Sequence, residues 1–126
     1  PHLSILNNVK FGIRGDNDSR KNKALEFLKL FKVDQYANSY PNNLSGGEQQ
    51  RVAIARSISP NPKILLMDEP FGSLDDDLKK ELREETKKII KKNKTTCILV
   101  THNIEDALSM SDRIIRLKNG KIENEK

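Results

Sequence analysis

Two short apolar runs limit the fold most: residues 64–67 in "KILLMD" and 97–100 in "TCILV". Each is continuous rather than alternating and is bounded by turn residues, the pattern of a strand buried on both faces. Between them lies a charged stretch, roughly 75–92, in which Leu78, Leu82, Ile89 and Ile90 form a helical stripe. Strands separated by a helix imply a parallel sheet. "RIIRL" at 113–117 is expected as a third strand, after a short helix in "IEDALSM" at 104–110. Asn119-Gly120 favours a tight hairpin turn into "KIE".

The first half reads as helical. Ser4 can cap "ILNNVKFGI", and "GDNDS" at 15–19 is a turn whose Asp18 or Ser19 caps the next helix. Leu25, Leu28 and Phe31 then fall at helical spacing, widened by Phe27 and Leu30. "ANSYPNN" at 37–43 is a loop, because Pro41 disfavours helix at Tyr40. A helix follows from about Gly47 to Ser57, with Val52, Ile54, Ala55 and Ile58 available for packing, and "PNP" at 60–62 stops it.

At 126 residues the chain has the length of one domain. With 35% hydrophobic and 33% charged residues and no Trp, its core is thin if it folds alone. The net charge of +5 arises from scattered lysines. The few aromatics are not interleaved with basic residues, so no nucleic-acid face is expected. Cys97, the single cysteine, is expected to be a buried structural thiol, and a chain without an internal disulfide fits a reducing compartment. No apolar run approaches the roughly 18 residues of a membrane span.

In parallel sheets, ligands sit beyond the C-terminal ends of the strands. That rule singles out Asp68-Glu69 and Thr101-His102. A strand-end Asp suits Mg²⁺ held through its water shell, since magnesium gives up water reluctantly. Glu69 points to the other side and can orient or deprotonate an attacking water; the alternative is a pair of exposed loop carboxylates. His102 either contacts a γ-phosphate or the Glu69–water pair, or is a structural hydrogen-bonder. Two histidines and one cysteine without ligand spacing make no zinc site. Ser45, Gly46 and Gly47 precede a helix whose first N–H groups are unpaired, which makes either an anion site or an ordinary serine cap. "FGSLD" at 71–75 is otherwise a loop with Asp75 as a helix cap.

Together these stretches resemble the nucleotide-binding subunit of an ATP-binding cassette transporter. "LSGGEQQR" at 44–51 looks like that family's signature motif, "ILLMDEP" is similar to its Walker B strand with the catalytic glutamate, "SLD" to its D-loop and "VTH" to its switch-histidine loop. Their order and separations match as well: about 20 residues from signature to Walker B, and about 34 from there to the histidine. "PHLSILNNVKFGI" resembles the segment after the Q-loop in importers of the iron, polyamine, sulfate and molybdate type.

The resemblance implies an α/β, P-loop NTPase-like fold: a helical subdomain over 1–58 ending in the signature helix, then over 59–126 the C-terminal part of a RecA-like core. It implies ATP and Mg²⁺, with Asp68 holding the metal's water shell, Glu69 as general base and His102 at the γ-phosphate. Ser45, Gly46 and Gly47 would cradle that phosphate, Gln49 would lie near the ribose, and Asp75 would link two active sites. The implied partners are a second nucleotide-binding subunit, head to tail, and a permease that docks through its coupling helix. The implied location is peripheral, on the cytoplasmic face of the membrane, and the solute iron(III) or a polyamine. The 126 residues contain no GxxxxGK[ST] loop, adenine-stacking aromatic or Q-loop glutamine. The chain, which starts at Pro1, is therefore expected to be a fragment that binds ATP poorly by itself and exposes apolar surface. Rival readings are a soluble cassette ATPase of DNA repair or translation, and a catalytically dead piece that docks on a permease.

Overall fold

The computed structural model describes residues 2–125; Pro1 and Lys126, the outermost residues of the two expected subdomains, lie outside the described residues. Helices α1 (Ile5–Lys10), α2 (Asn17–Leu30) and α3 (Gly46–Ile58) come first, with 3₁₀ turns at Asp34–Tyr36 and Pro41–Asn43. Strand β1 (Ile64–Asp68), helix α4 (Asp76–Lys92), strand β2 (Thr96–Val100) and helix α5 (Ile104–Met110) follow, then β3 (Ile115–Lys118) and β4 (Lys121–Glu125).

The helices begin where their caps say. Ser4 accepts from the Asn7 amide at the start of α1. Helix α2 is capped by Asp16 rather than by Asp18 or Ser19. Asp16 takes the extended backbone a cap needs, and its carboxylate accepts both the Ser19 amide and the Ser19 hydroxyl. Asp18 and Ser19 thus fall inside the first turn. Tyr40, held extended before Pro41, leads into a 3₁₀ turn where a plain loop was expected.

Helix α1 packs on α2 and α3. Ile5, Val9, Ala24, Leu28, Val52, Ala55 and Ile58 join Phe31 and Val33 in one buried cluster, and that cluster continues into Leu65, Met67, Phe71 and Leu82. The helical half and the sheet half therefore share a core.

Strands β1 and β2 pair in parallel, Ile64 opposite Thr96 through Asp68 opposite Val100. The expectation that both are buried on both faces is corrected. Leu65 and Met67 point into the core and Cys97 and Leu99 pack against it, while Leu66 and Ile98, partners across the ladder, are 71% and 55% exposed. The physical reason is that the described chain covers one face of the pair, where Leu65 and Met67 join Leu82 of α4 in the core cluster. The expected uncovered apolar surface is this other face. Cys97 is half-buried, not fully buried, and burial pushes its thiol upward.

The third strand is also corrected. β3 does not join the parallel pair; it runs antiparallel to β4 in a sheet of its own. Asn119 and Gly120 take φ of 50° and 73°, so the chain folds straight back and β3 finds its partner in the next segment.

Candidate functional site

The C-terminal ends of β1 and β2 bring the two polar pairs side by side. Glu69 follows Asp68 in a left-handed backbone, φ 45°, and its amide extends the ladder by donating to the Val100 carbonyl at 2.9 Å. Such a conformation strains a non-glycine residue, by about 1–3 kcal/mol, and persists only where surroundings over-determine it. Here they do. Glu69 Oε1 accepts from the His102 amide and meets His102 Nδ1, each at 2.7 Å, and Oε2 accepts from the Thr101 hydroxyl at 3.3 Å. Since a carboxylate can only accept, Nδ1 carries the proton. The His102 side chain is 87% exposed, so its other ring nitrogen faces solvent space at the sheet edge.

Burial raises the Glu69 carboxyl, but the His102 ring, the His102 amide, the charge of His102 and the Thr101 hydroxyl together outweigh it. The carboxyl is held below its ordinary value. It is an ionised acceptor at neutral pH, which a base that takes a proton from water must be.

Helix α3 begins at Gly46, one residue before the expected start, with Ser45 as its cap. The Ser45 hydroxyl accepts the Glu48 amide and Glu48 Oε2 accepts the Ser45 amide, a reciprocal capping box. Ser45-x-x-Glu48 is legible in the sequence and was not drawn on there. Glu48 Oε1 also accepts from the Tyr36 hydroxyl at 2.7 Å, which holds the Glu48 carboxyl low and pushes the Tyr36 phenol up. The amides of Gly46 and Gly47 lead the helix, where N–H groups have no intrahelical acceptor and the dipole is positive.

A Cβ on Gly47 would come within 3.2 Å of the Ser73 carbonyl, so α3 lies against the 71–74 loop where a side chain would press on backbone. Three residues on, Gln50 Nε2 donates to the Glu69 carbonyl at 2.8 Å and Gln50 Oε1 accepts from the Ser73 amide at 2.9 Å. Gln50 was not singled out in the sequence, and no local signal distinguishes it from Gln49.

Glu69 and His102 thus meet directly, and α3 touches the turn that follows Glu69. Two other candidates are engaged locally. Gln49 Nε2 donates to the Pro41 and Leu44 carbonyls, clasping the loop that leads into α3. Asp75 caps α4 by accepting from the Leu78 amide. Asp68 is exposed at the strand end. Among the described residues no three His, Cys, Asp or Glu side chains form a metal cage. A single exposed carboxylate still fits Mg²⁺, which keeps most of its waters and takes one or two protein ligands.

A buried pair stands behind this edge. Arg83 of α4 and Asp106 of α5 meet at 2.8 Å, their side chains 10% and 3% exposed. Asn103 caps α5 by accepting the Glu105 and Asp106 amides, so the pair anchors the helix that follows His102. It too was missed.

The family model described as "ABC transporter" matches residues 1–72. A probable sulfate/thiosulfate import ATP-binding protein from Chlorella vulgaris is 42% identical over 125 residues, 97% of this chain and 53% of its own. A spermidine/putrescine import ATP-binding protein from Pasteurella multocida is 45% identical over 128 residues, 99% of this chain and 35% of its own. The chain therefore spans about half the length, or less, of these curated relatives. A dimeric structure of MJ0796, a bacterial ABC transporter cassette, superposes with a TM-score of 0.89 at 41% identity, covering 100% of this chain and 57% of that one. A post-hydrolysis state of the same cassette, bound to ADP and Pi, matches equally.

Proposed function

Because this chain belongs to the ABC transporter family, we propose that it works within the ATP-hydrolysing subunit of a membrane importer. The observation that carries the reading is the Glu69–His102 contact at 2.7 Å, placed beside Asp68 where a parallel pair ends. In this reading residues 1–58 are the helical subdomain and 59–126 the second part of the catalytic core.

Glu69 orients a water and takes its proton as the water oxygen attacks the γ-phosphorus. The bond to the β–γ bridging oxygen breaks, and ADP and phosphate leave. His102, whose two ring nitrogens both donate in its cationic form, holds Glu69 through Nδ1 and offers the other N–H to the γ-phosphate. Ser45, Gly46 and Gly47 offer the positive end of α3 to the phosphate of a nucleotide bound by a second subunit, head to tail. Gln49 then lies at the edge of that nucleotide's ribose, and Asp75 sits at the contact between the two sites. Bound Mg²⁺, whose water shell Asp68 would hold, supplies charge neutralisation at the phosphates.

The further partner is a permease, met through its coupling helix by the helical subdomain; no nucleic-acid role is assigned. No helix among the described residues is long and apolar enough to cross a membrane. In this reading the subunit's place is peripheral, on the cytoplasmic face, where ATP is supplied. Of the two expected solutes, a polyamine has the support of one relative's name, and iron(III) has none among the relatives described.

Steady-state hydrolysis of Mg-ATP by the complete subunit, with and without its permease, tests this. The expected result is hydrolysis that rises when the permease is present. A subunit that neither hydrolyses ATP nor co-purifies with a permease contradicts it.

A further inference from the structure

We infer that Gln50 is a positioning residue for Glu69, tying the turn that carries this carboxylate to helix α3. The inference rests on the hydrolytic reading above, whose base it places. Both ends of the Gln50 amide are engaged across long stretches of sequence, with the Glu69 carbonyl and the Ser73 amide. The orientation of the amide is unambiguous, because one partner can only accept and the other can only donate. No other orientation satisfies both.

The position of Glu69 needs such a partner. Its φ of 45° is held on three sides: its amide by Val100, its carboxylate by Thr101 and His102, and its carbonyl by Gln50 together with the Gly72 amide. The first two come from β2 and the segment after it. Only Gln50 comes from α3, the helix that starts at Ser45–Gly47. Gly47 and Gln50 lie three residues apart on one face of α3, and Gly47 lets that face come close enough for the amide to reach. Gln50 therefore fixes the distance between the helix start at Ser45–Gly47, which in the reading above serves the second subunit's nucleotide, and the Glu69 carboxylate, which serves this subunit's own.

Two variants of the complete subunit separate positioning from simple loop stapling. Gln50→Met keeps the shape and loses both bonds. Gln50→Glu still accepts from the Ser73 amide and cannot donate to the Glu69 carbonyl. Residue-resolved hydrogen exchange is expected to show the Ser73 amide released in the Met variant and retained in the Glu variant. The His102 amide, which reports where the Glu69 carboxylate sits, is expected to exchange about fivefold faster in both. For hydrolysis, kcat is expected to fall about tenfold to a hundredfold while KM for ATP stays within about threefold. Unchanged exchange at His102 in the Glu variant overturns the inference, even where the Met variant fails to fold. If the unaltered subunit does not hydrolyse ATP, the hydrolytic reading fails, and the His102 exchange still decides whether Gln50 places Glu69.

Discussion

Glu69→Gln in the complete subunit is expected to lower kcat for ATP hydrolysis by about a hundredfold to ten-thousandfold, the range a positioned general base contributes. The substitution is close to isosteric, and an amide oxygen still accepts from the His102 amide that now donates to Oε1. What is lost is the capacity to take a proton from water. Binding of Mg-ATP is expected to stay within about threefold, since no phosphate contact is assigned to Glu69. Single-turnover hydrolysis alongside equilibrium binding separates the two effects. A kcat within about tenfold of the unaltered subunit removes Glu69 from the base role.

Asp106→Ala is expected to cost about 3–5 kcal/mol of stability, because it leaves the Arg83 guanidinium buried without its carboxylate. Glu105 offers little replacement: it lies 3.8 Å from the same nitrogen and its side chain is 77% exposed. Arg83 Nε is already without a partner among the described residues, so the Asp106 bond matters more. In thermal unfolding of the complete subunit the loss corresponds to roughly 6–20 °C. Replacing both residues by Met and Leu is expected to recover much of it, because two apolar side chains of similar volume leave no buried charge. The same lesion loosens α5, whose first turn begins directly after His102, so the histidine loop is expected to gain mobility before the core does. A loss below about 1 kcal/mol would mean that the pair behaves as an ordinary exposed one.

The parts of this molecule that follow from local chemistry were legible in the sequence. "KILLMD" and "TCILV" gave strands at β1 and β2 because apolar runs between turn residues have few other uses, and the pair is parallel as expected. Asn119-Gly120 made its turn because both residues tolerate the positive φ it needs. The rest depends on what meets what. Apolar residues on both faces of β1 were read as two-sided burial, yet burial is a property of neighbours, and only one face has them here. For β3 the spacing suggested a third parallel strand, while a turn of two residues decided its partner.

At the site, Asp68, Glu69 and His102 could be named from their places after the strands. The direct Glu69–His102 bond was not legible there, where a contact of His102 with the Glu69–water pair was one alternative, since it depends on the left-handed turn at Glu69. Gln50 and the Arg83–Asp106 pair were invisible for the same reason. Each joins segments about 19 to 23 residues apart, and in the sequence each is one polar residue among many.

The central claim is that these residues supply parts of two nucleotide sites, the signature helix to the second subunit's and the water-activating edge to this subunit's own, without a phosphate-holding loop among the 126 residues. Calorimetric titration of Mg-ATP into the isolated chain tests it most directly. The account predicts no binding in the micromolar range. Micromolar, saturable binding by the isolated chain would contradict it.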